Sequence, residues 1–305
     1  MGPENGVNLN KFDYFPIEEY VRRIKVEDFV LEHMEDTNRK FDDYLTEIAK
    51  CDDYTKIYYF LDSINNEIIS SHKMEKHYIS NKDILENDCF FSSLQMSHAN
   101  IKRIHNLVMK DNTDYRSGEV RVSSLINDEE KIYWYGAKPE DVKPFMDDFI
   151  KFYKTKSLSV IDSNPFLKSA LAHLLFVRIH PFSDGNGRTA RMIHNMKFTD
   201  RINNAYGMNL KICPLNISQS ILLNQPTYVK RINDIYFDLE HDSNYEINKW
   251  FDFILNMSDD QLHFNTVRLP KFQRLVASGE ANKKGLNRPE NKEMKKEVEK
   301  LKVLK

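Results

Sequence analysis

The residues best suited to chemistry lie in one run, His180-Pro181-Phe182-Ser183-Asp184-Gly185-Asn186-Gly187-Arg188-Thr189-Ala190-Arg191. The two glycines let the backbone turn sharply and aim the N–H groups of Gly185, Asn186 and Gly187 at one spot, a nest for an anion. A helix starting near Arg188 adds its positive end to that spot. Arg188 and Arg191 fall in its first turn, where a helix prefers Asp or Glu; two guanidinium forks held against that preference suit a polyphosphate. Asp184 offers the hard oxygen that Mg²⁺ accepts beside phosphate and water. His180 is a base whose pKa lies near working pH.

The run resembles the signature of Fic-domain proteins, His-Pro-Phe-x-(Asp/Glu)-Gly-Asn-Gly-Arg-x-x-Arg, at every fixed position. The resemblance implies transfer of AMP from ATP to a Ser, Thr or Tyr hydroxyl of a target protein, with self-modification left open. It implies that His180 deprotonates the target hydroxyl and that Asp184 holds Mg²⁺ on the α- and β-phosphates. Gly185, Asn186 and Gly187 would form the anion hole, and Arg188 and Arg191 would hold the outer phosphates. Relatives with altered loops move phosphate or phosphocholine instead; Gly187 is the family's usual glycine and favours the adenylylating orientation. Two alternatives stand beside this one: an enzyme moving another phosphate-containing group, and a non-catalytic nucleotide-binding regulatory module.

The loop needs elements to position it. Phe166 to Ile179 is rich in helix formers and apolar around most of its circumference, the pattern of a buried helix, which Pro181 ends. Helices begin near Pro16 and continue to about Cys51. Met96 to Met109 reads as a helix with Ile101, Ile104, His105 and Val108 on one side, His105 serving the core. Tyr115–Val122 and Lys131–Gly136 are β-prone runs about the turn Asn127-Asp128-Glu129-Glu130, a hairpin. The family has a hairpin flap at this place that aligns a target segment by strand pairing. Lys138-Pro139 opens a helix to about Lys154, with Val142, Phe145, Met146, Phe149 and Tyr153 as its apolar face. Pro214 to Ser218 reads as a Ser-capped helix start, and Trp250–Leu255 as the last helix of the core. Tyr228 stands where relatives carry a tyrosine near adenine; packing in the core explains it equally well.

In the helix expected over Tyr54–Lys76, Ile64, Ile68, Ser71 and Glu75 share one face. Ser71-His72-Lys73-Met74-Glu75 resembles the family's inhibitory helix, Ser/Thr-x-x-x-Glu-Gly/Asn, whose glutamate would pair with Arg191, except that Lys76 replaces the small residue. Ser63 and Glu67 have the same spacing, so the register stays open between Glu75 and Glu67.

The fold class expected is all-α, a Fic-type helical bundle with a small β-hairpin flap over the active site. The domains expected are a helical region over 1–60, the inhibitory helix and its connection over 61–90, the Fic core over 91–257, and a Lys/Glu-rich tail over 258–305. The 305 residues are 41% hydrophobic and carry a net charge of −2, enough to build a core and without general attraction for nucleic acid or anionic membrane. In the tail Lys283 to Lys305 alternate with acids, the pattern of a solvated helix rather than a nucleic-acid contact. Cys51, Cys89 and Cys213 form no C-x-x-C pair, so neither a disulfide framework nor a zinc site is expected. With no signal segment at Met1–Gly6 and no run of ~18 apolar residues, a cytoplasmic protein without a membrane anchor is expected, its oligomeric state open.

Overall fold

The computed structural model of the chain describes residues 12–76, 95–126, 129–155, 159–206, 210 and 213–279. Residues 1–11, the connection after Lys76, the turn residues Asn127 and Asp128, and the tail from residue 280 lie outside them; of the stretch 1–15, read from the sequence as a loose arm, the described part buries Phe12 and Phe15. The fold is all-α with a two-stranded antiparallel sheet. Among the described residues the helices are α1 (Ile17–Arg23), α2 (Asp28–Lys50), α3 (Asp53–Met74), α4 (His98–Met109), α5 (Val142–Lys154), α6 (Val160–Ser163), α7 (Pro165–Ile179), α8 (Asn186–Tyr206), α9 (Ser218–Leu223), α10 (Gln225–Asn233) and α11 (Asn244–Ala277). The strands are β1 (Arg121–Ile126) and β2 (Glu129–Tyr135). No described helix is long and apolar enough to cross a membrane.

Contacts divide the chain into two units that interleave in sequence: 1–30, 94–197 and 224–253 belong to one, 31–93, 198–223 and 254–305 to the other. The first is built on α7. Pro165 takes the first helical position, the Asn164 side chain accepts from Phe166 and Leu167 N–H, and all 15 residues of the helix are buried. Trp250 reaches it through Nε1, which donates to the Ala170 carbonyl at 2.9 Å. Helix α5 follows a short 3₁₀ turn at Pro139–Asp141 and buries the face the sequence marks, Val142, Phe145, Met146, Phe149 and Tyr153. Phe145 meets Phe12, Phe15 and Phe237 at ring separations of 5.1 to 5.8 Å, so truncating it to Ala would cost about 3–5 kcal/mol.

In the second unit, Asp52 caps α3 by accepting from Thr55 N–H. The Tyr44 and Tyr59 hydroxyls pair in its core, and Tyr44 donates to the Pro214 carbonyl at 3.0 Å. Several boundaries differ from the sequence reading, among them that β2 takes in Glu129 and Glu130 of the expected turn. Tyr115–Gly118 is loop rather than strand, because Arg116 N–H donates to Pro181 O and its side chain turns to other carbonyls. Ser218 does not cap its own helix: it is the first residue of α9, and both its N–H and its hydroxyl donate to Glu67. The last described helix is a single run of 34 residues to Ala277, well past Leu255.

Candidate active site

Helix α7 ends at His180, whose φ of 54° and ψ of 60° place it in the left-handed region. That conformation costs a residue with a Cβ about 1–2 kcal/mol, so the surroundings must hold it. Its Nδ1 lies 3.1 Å from the Val177 carbonyl. A carbonyl can only accept, so Nδ1 carries a proton, which in the neutral form of the ring puts the basic lone pair on Nε2. Trp134 of β2 meets the imidazole edge-on at 5.1 Å, which brings the hairpin to the base.

The loop after His180 is tied from within. Asn186 accepts from Phe182 N–H at 2.9 Å and donates to the Phe182 carbonyl at 2.7 Å. Phe182 is 1% exposed and stacks on His105 with ring centroids 3.8 Å apart. His105 Nε2 donates to the Asp184 carbonyl at 3.0 Å, so this buried histidine, read from the sequence as core or structural, also carries the loop. Gly185 has φ +73°, and a Cβ on it would stand 2.3 Å from Met109 Sδ. Only glycine meets both demands.

Gly185 O accepts from Thr189 N–H at 2.9 Å and closes the first turn of α8, which begins at Asn186, two residues before the expected Arg188. The N–H groups of Asn186, Gly187 and Arg188 therefore stand at the helix's positive end without intrahelical acceptors. Gly185 N–H donates to Asp184 Oδ1 at 2.6 Å. The Asp184 carboxylate is 69% exposed, and its Oδ2 lies 3.4 Å from Arg188. Arg188 is 5% exposed, and its Nε is buried without a hydrogen-bond partner, a donor suited to an incoming anion. Arg191 is buried and lies close enough to His173 to help depress its pKa, although burial of that ring is the larger cause and His194 adds to it. Burial likewise pushes His194 down to about 4.

Arg116 joins the hairpin to the base. Its Nε donates to the His180 carbonyl and one terminal nitrogen to the Gly118 carbonyl, both at 2.7 Å; the other terminal nitrogen reaches Ala137 O at 2.5 Å. Burial pushes its pKa down to about 10, so it remains charged at neutral pH.

This geometry has a family. A model described as the Fic/DOC family matches residues 95–196. The chain carries a Fic domain over these residues. Over 102 residues it is 29% identical to a protein adenylyltransferase fic-1 of Caenorhabditis elegans, covering 33% of this chain and 19% of that relative. It is 37% identical over 81 residues to a protein adenylyltransferase Fic of Nematostella vectensis, covering 27% and 16%. The matched stretch thus spans less than a fifth of these relatives' own length. Among solved structures, a Fic family protein from Desulfovibrio desulfuricans G20 superimposes with a TM-score of 0.54 at 16% identity, over 83% of this chain and 77% of that one. At that identity the likeness is one of fold.

The signature residues of the Fic domain come together as their spacing requires, but Tyr228 stands apart in character. It is 8% exposed, its hydroxyl bonds to the buried His173 Nε2 at 2.9 Å, and its ring packs at 6.0 Å from Trp250. In the second unit, Ser71 is buried on α3, while Glu75 is exposed and forms the C-cap of that helix. Lys76 follows with φ 58°. Glu67 is buried mid-helix, its Oε2 accepting from Ser218 N–H at 2.9 Å and its Oε1 from the Ser218 hydroxyl at 2.5 Å. Sequence reasoning missed Arg116 and did not find the partner of His105. A guanidinium that pairs with carbonyls leaves no complementary charge in the sequence to betray it.

Proposed function

We propose that this Fic domain transfers AMP from ATP to a hydroxyl side chain of a target protein. The observation that carries the reading is a tautomer-fixed base, His180, placed a few residues before a helix N-terminus whose Arg188 Nε is buried without a partner. The His180 Nε2 takes the proton of the target hydroxyl as its oxygen attacks the α-phosphorus, the bond to the β-phosphate oxygen breaks, and pyrophosphate leaves. The α8 amides and the Arg188 and Arg191 guanidinium groups meet the phosphate charge without needing to reorganise. One exposed carboxylate beside a phosphate seat is the donor set Mg²⁺ accepts, so Asp184 would hold that ion, which when bound neutralises charge on the phosphates. The names of the relatives, protein adenylyltransferases, support the same reaction.

We further assign restraint of this activity to Glu75 rather than Glu67. The family's pattern closes its inhibitory helix with Gly or Asn, residues that tolerate the left-handed region, and Lys76 adopts that region directly after Glu75. Glu67 is followed by Ile68 inside the helix and is committed to Ser218.

The test is incubation of the protein and a cell extract with ATP labelled on either the α- or the γ-phosphate. Protein labelled from the α position alone is the expected result. Label from the γ position would assign transfer of phosphate instead, and nucleotide binding without label in protein would leave a binding module.

A further inference from the structure

The guanidinium of Arg116 is 6% exposed and, among the described residues, bonds to no carboxylate; its acceptors are backbone carbonyls from three separate segments. Gly118 O precedes β1, Ala137 O follows β2, and His180 O, with Ile179 O at 3.5 Å, closes α7. These last carbonyls form the negative end of a helix, where a fixed cation is favoured. The backbone of the same residue grips the next peptide, Arg116 N–H donating to Pro181 O at 2.9 Å. Both sides of the left-handed His180 are thus held by one residue. The hairpin closes on this point: Gly136 N–H donates to Val120 O at 3.1 Å and Ala137 N–H to Ile179 O at 3.2 Å. There is no slack, since a Cβ on Gly136 would lie 2.8 Å from an Arg116 terminal nitrogen and 3.0 Å from His180 Cβ.

We propose that Arg116 is the positioning residue of the catalytic base: by clamping the His180 and Pro181 carbonyls to both ends of the hairpin, it keeps His180 in the left-handed conformation that presents Nε2 to the target hydroxyl. Its role in turnover rests on the adenylyl-transfer reading above; its hold on the imidazole does not. Without the clamp the backbone at 180 relaxes, Nδ1 leaves the Val177 carbonyl, and the ring loses its single tautomer.

Two readouts on the full chain test this. Long-range ¹H–¹⁵N correlation, with the His180 signals assigned through His180→Gln, reports which ring nitrogen carries the proton. Wild type shows the Nδ1–H form, and Arg116→Ala shows a mixture. Transfer from α-labelled ATP in Arg116→Ala falls about 100-fold in kcat, while the Kd for ATP stays within about threefold, because misplacing a reacting group by ~1 Å costs that much in rate. Arg116→Lys, a charge without the fork, recovers part of kcat. Should Arg116→Ala fail to fold, Gly136→Ala, which crowds the clamp, carries the same expectation. A pure Nδ1–H signal for His180 in the folded variants overturns the proposal. If wild type transfers no AMP, the reaction proposed above fails alone, and the tautomer still decides this one.

Discussion

Asn186 grips Phe182 by both of its backbone groups, accepting from the N–H at 2.9 Å and donating to the carbonyl at 2.7 Å. The side chain of this signature asparagine is therefore structural, while its own N–H lies in the first turn of α8, where a helix offers it no intrahelical acceptor. Asn186→Ala leaves a buried donor and a buried acceptor unmatched, each costing about 1–3 kcal/mol. Urea unfolding should show a loss in that range together with reduced AMP transfer. Unchanged stability would mean that water replaces the amide.

His180→Ala should abolish label transfer from α-labelled ATP while leaving ATP binding close to wild type, since general-base catalysis contributes ~10²–10⁴-fold. Single-turnover rates and calorimetric titration separate the two effects. Wild-type transfer in this variant would remove His180 from the chemistry.

The two candidate inhibitory glutamates should behave oppositely. Glu75→Gly is expected to raise self-modification and target modification with little change in stability, because Glu75 is an exposed C-cap residue. Glu67→Gly is expected to lose about 1–3 kcal/mol for each Ser218 group it strands, with no gain in rate. Parallel denaturation and label-transfer curves decide it; activation by Glu67→Gly alone would return the register to the earlier glutamate.

Lys76 occupies the left-handed region at φ 58°. Lys76→Gly relieves the steric cost and should raise stability by about 1 kcal/mol, partly offset by the larger entropy of the unfolded glycine. A shift of the urea midpoint upward at constant slope is the expected result.

Stability should also fall with acid in a defined window. Burial lowers His194 from the ordinary 6.5 to about 4. Above pH 6.5 both states are neutral there; between 6.5 and 4 the unfolded chain binds a proton that the native state refuses, so stability drops as pH falls. The full effect is on the order of 3 kcal/mol, with His173 acting in the same direction. Urea midpoints measured from pH 7 to 5 should decline, and less steeply in His194→Gln.

The candidate site was legible in the sequence because it is local: the histidine, the glycine turn, the carboxylate and the arginines lie between His180 and Arg191, and glycine and proline fix the turn between two helices. The helices around it follow from apolar spacing, as α5 illustrates with its buried Val142, Phe145, Met146 and Phe149. What escaped depends on partners far along the chain. Nothing in Tyr115-Arg116-Ser117-Gly118 announces that its guanidinium will find carbonyls at 137 and 180, or that its N–H will be taken from a strand. Likewise Ser218 looked self-sufficient as a cap until Glu67, 151 positions earlier, supplied the carboxylate.

Helix α7 has no face toward solvent along any of its 15 residues. In hydrogen-exchange terms its amides should be among the slowest in the chain, opening only when the cooperative unit itself unfolds. The base is thus hung from the segment least able to fray. Thermal agitation short of unfolding should leave His180 in place, so changes in any rate of transfer would come from what occupies the loop and the hairpin rather than from loosening of the helix that carries it.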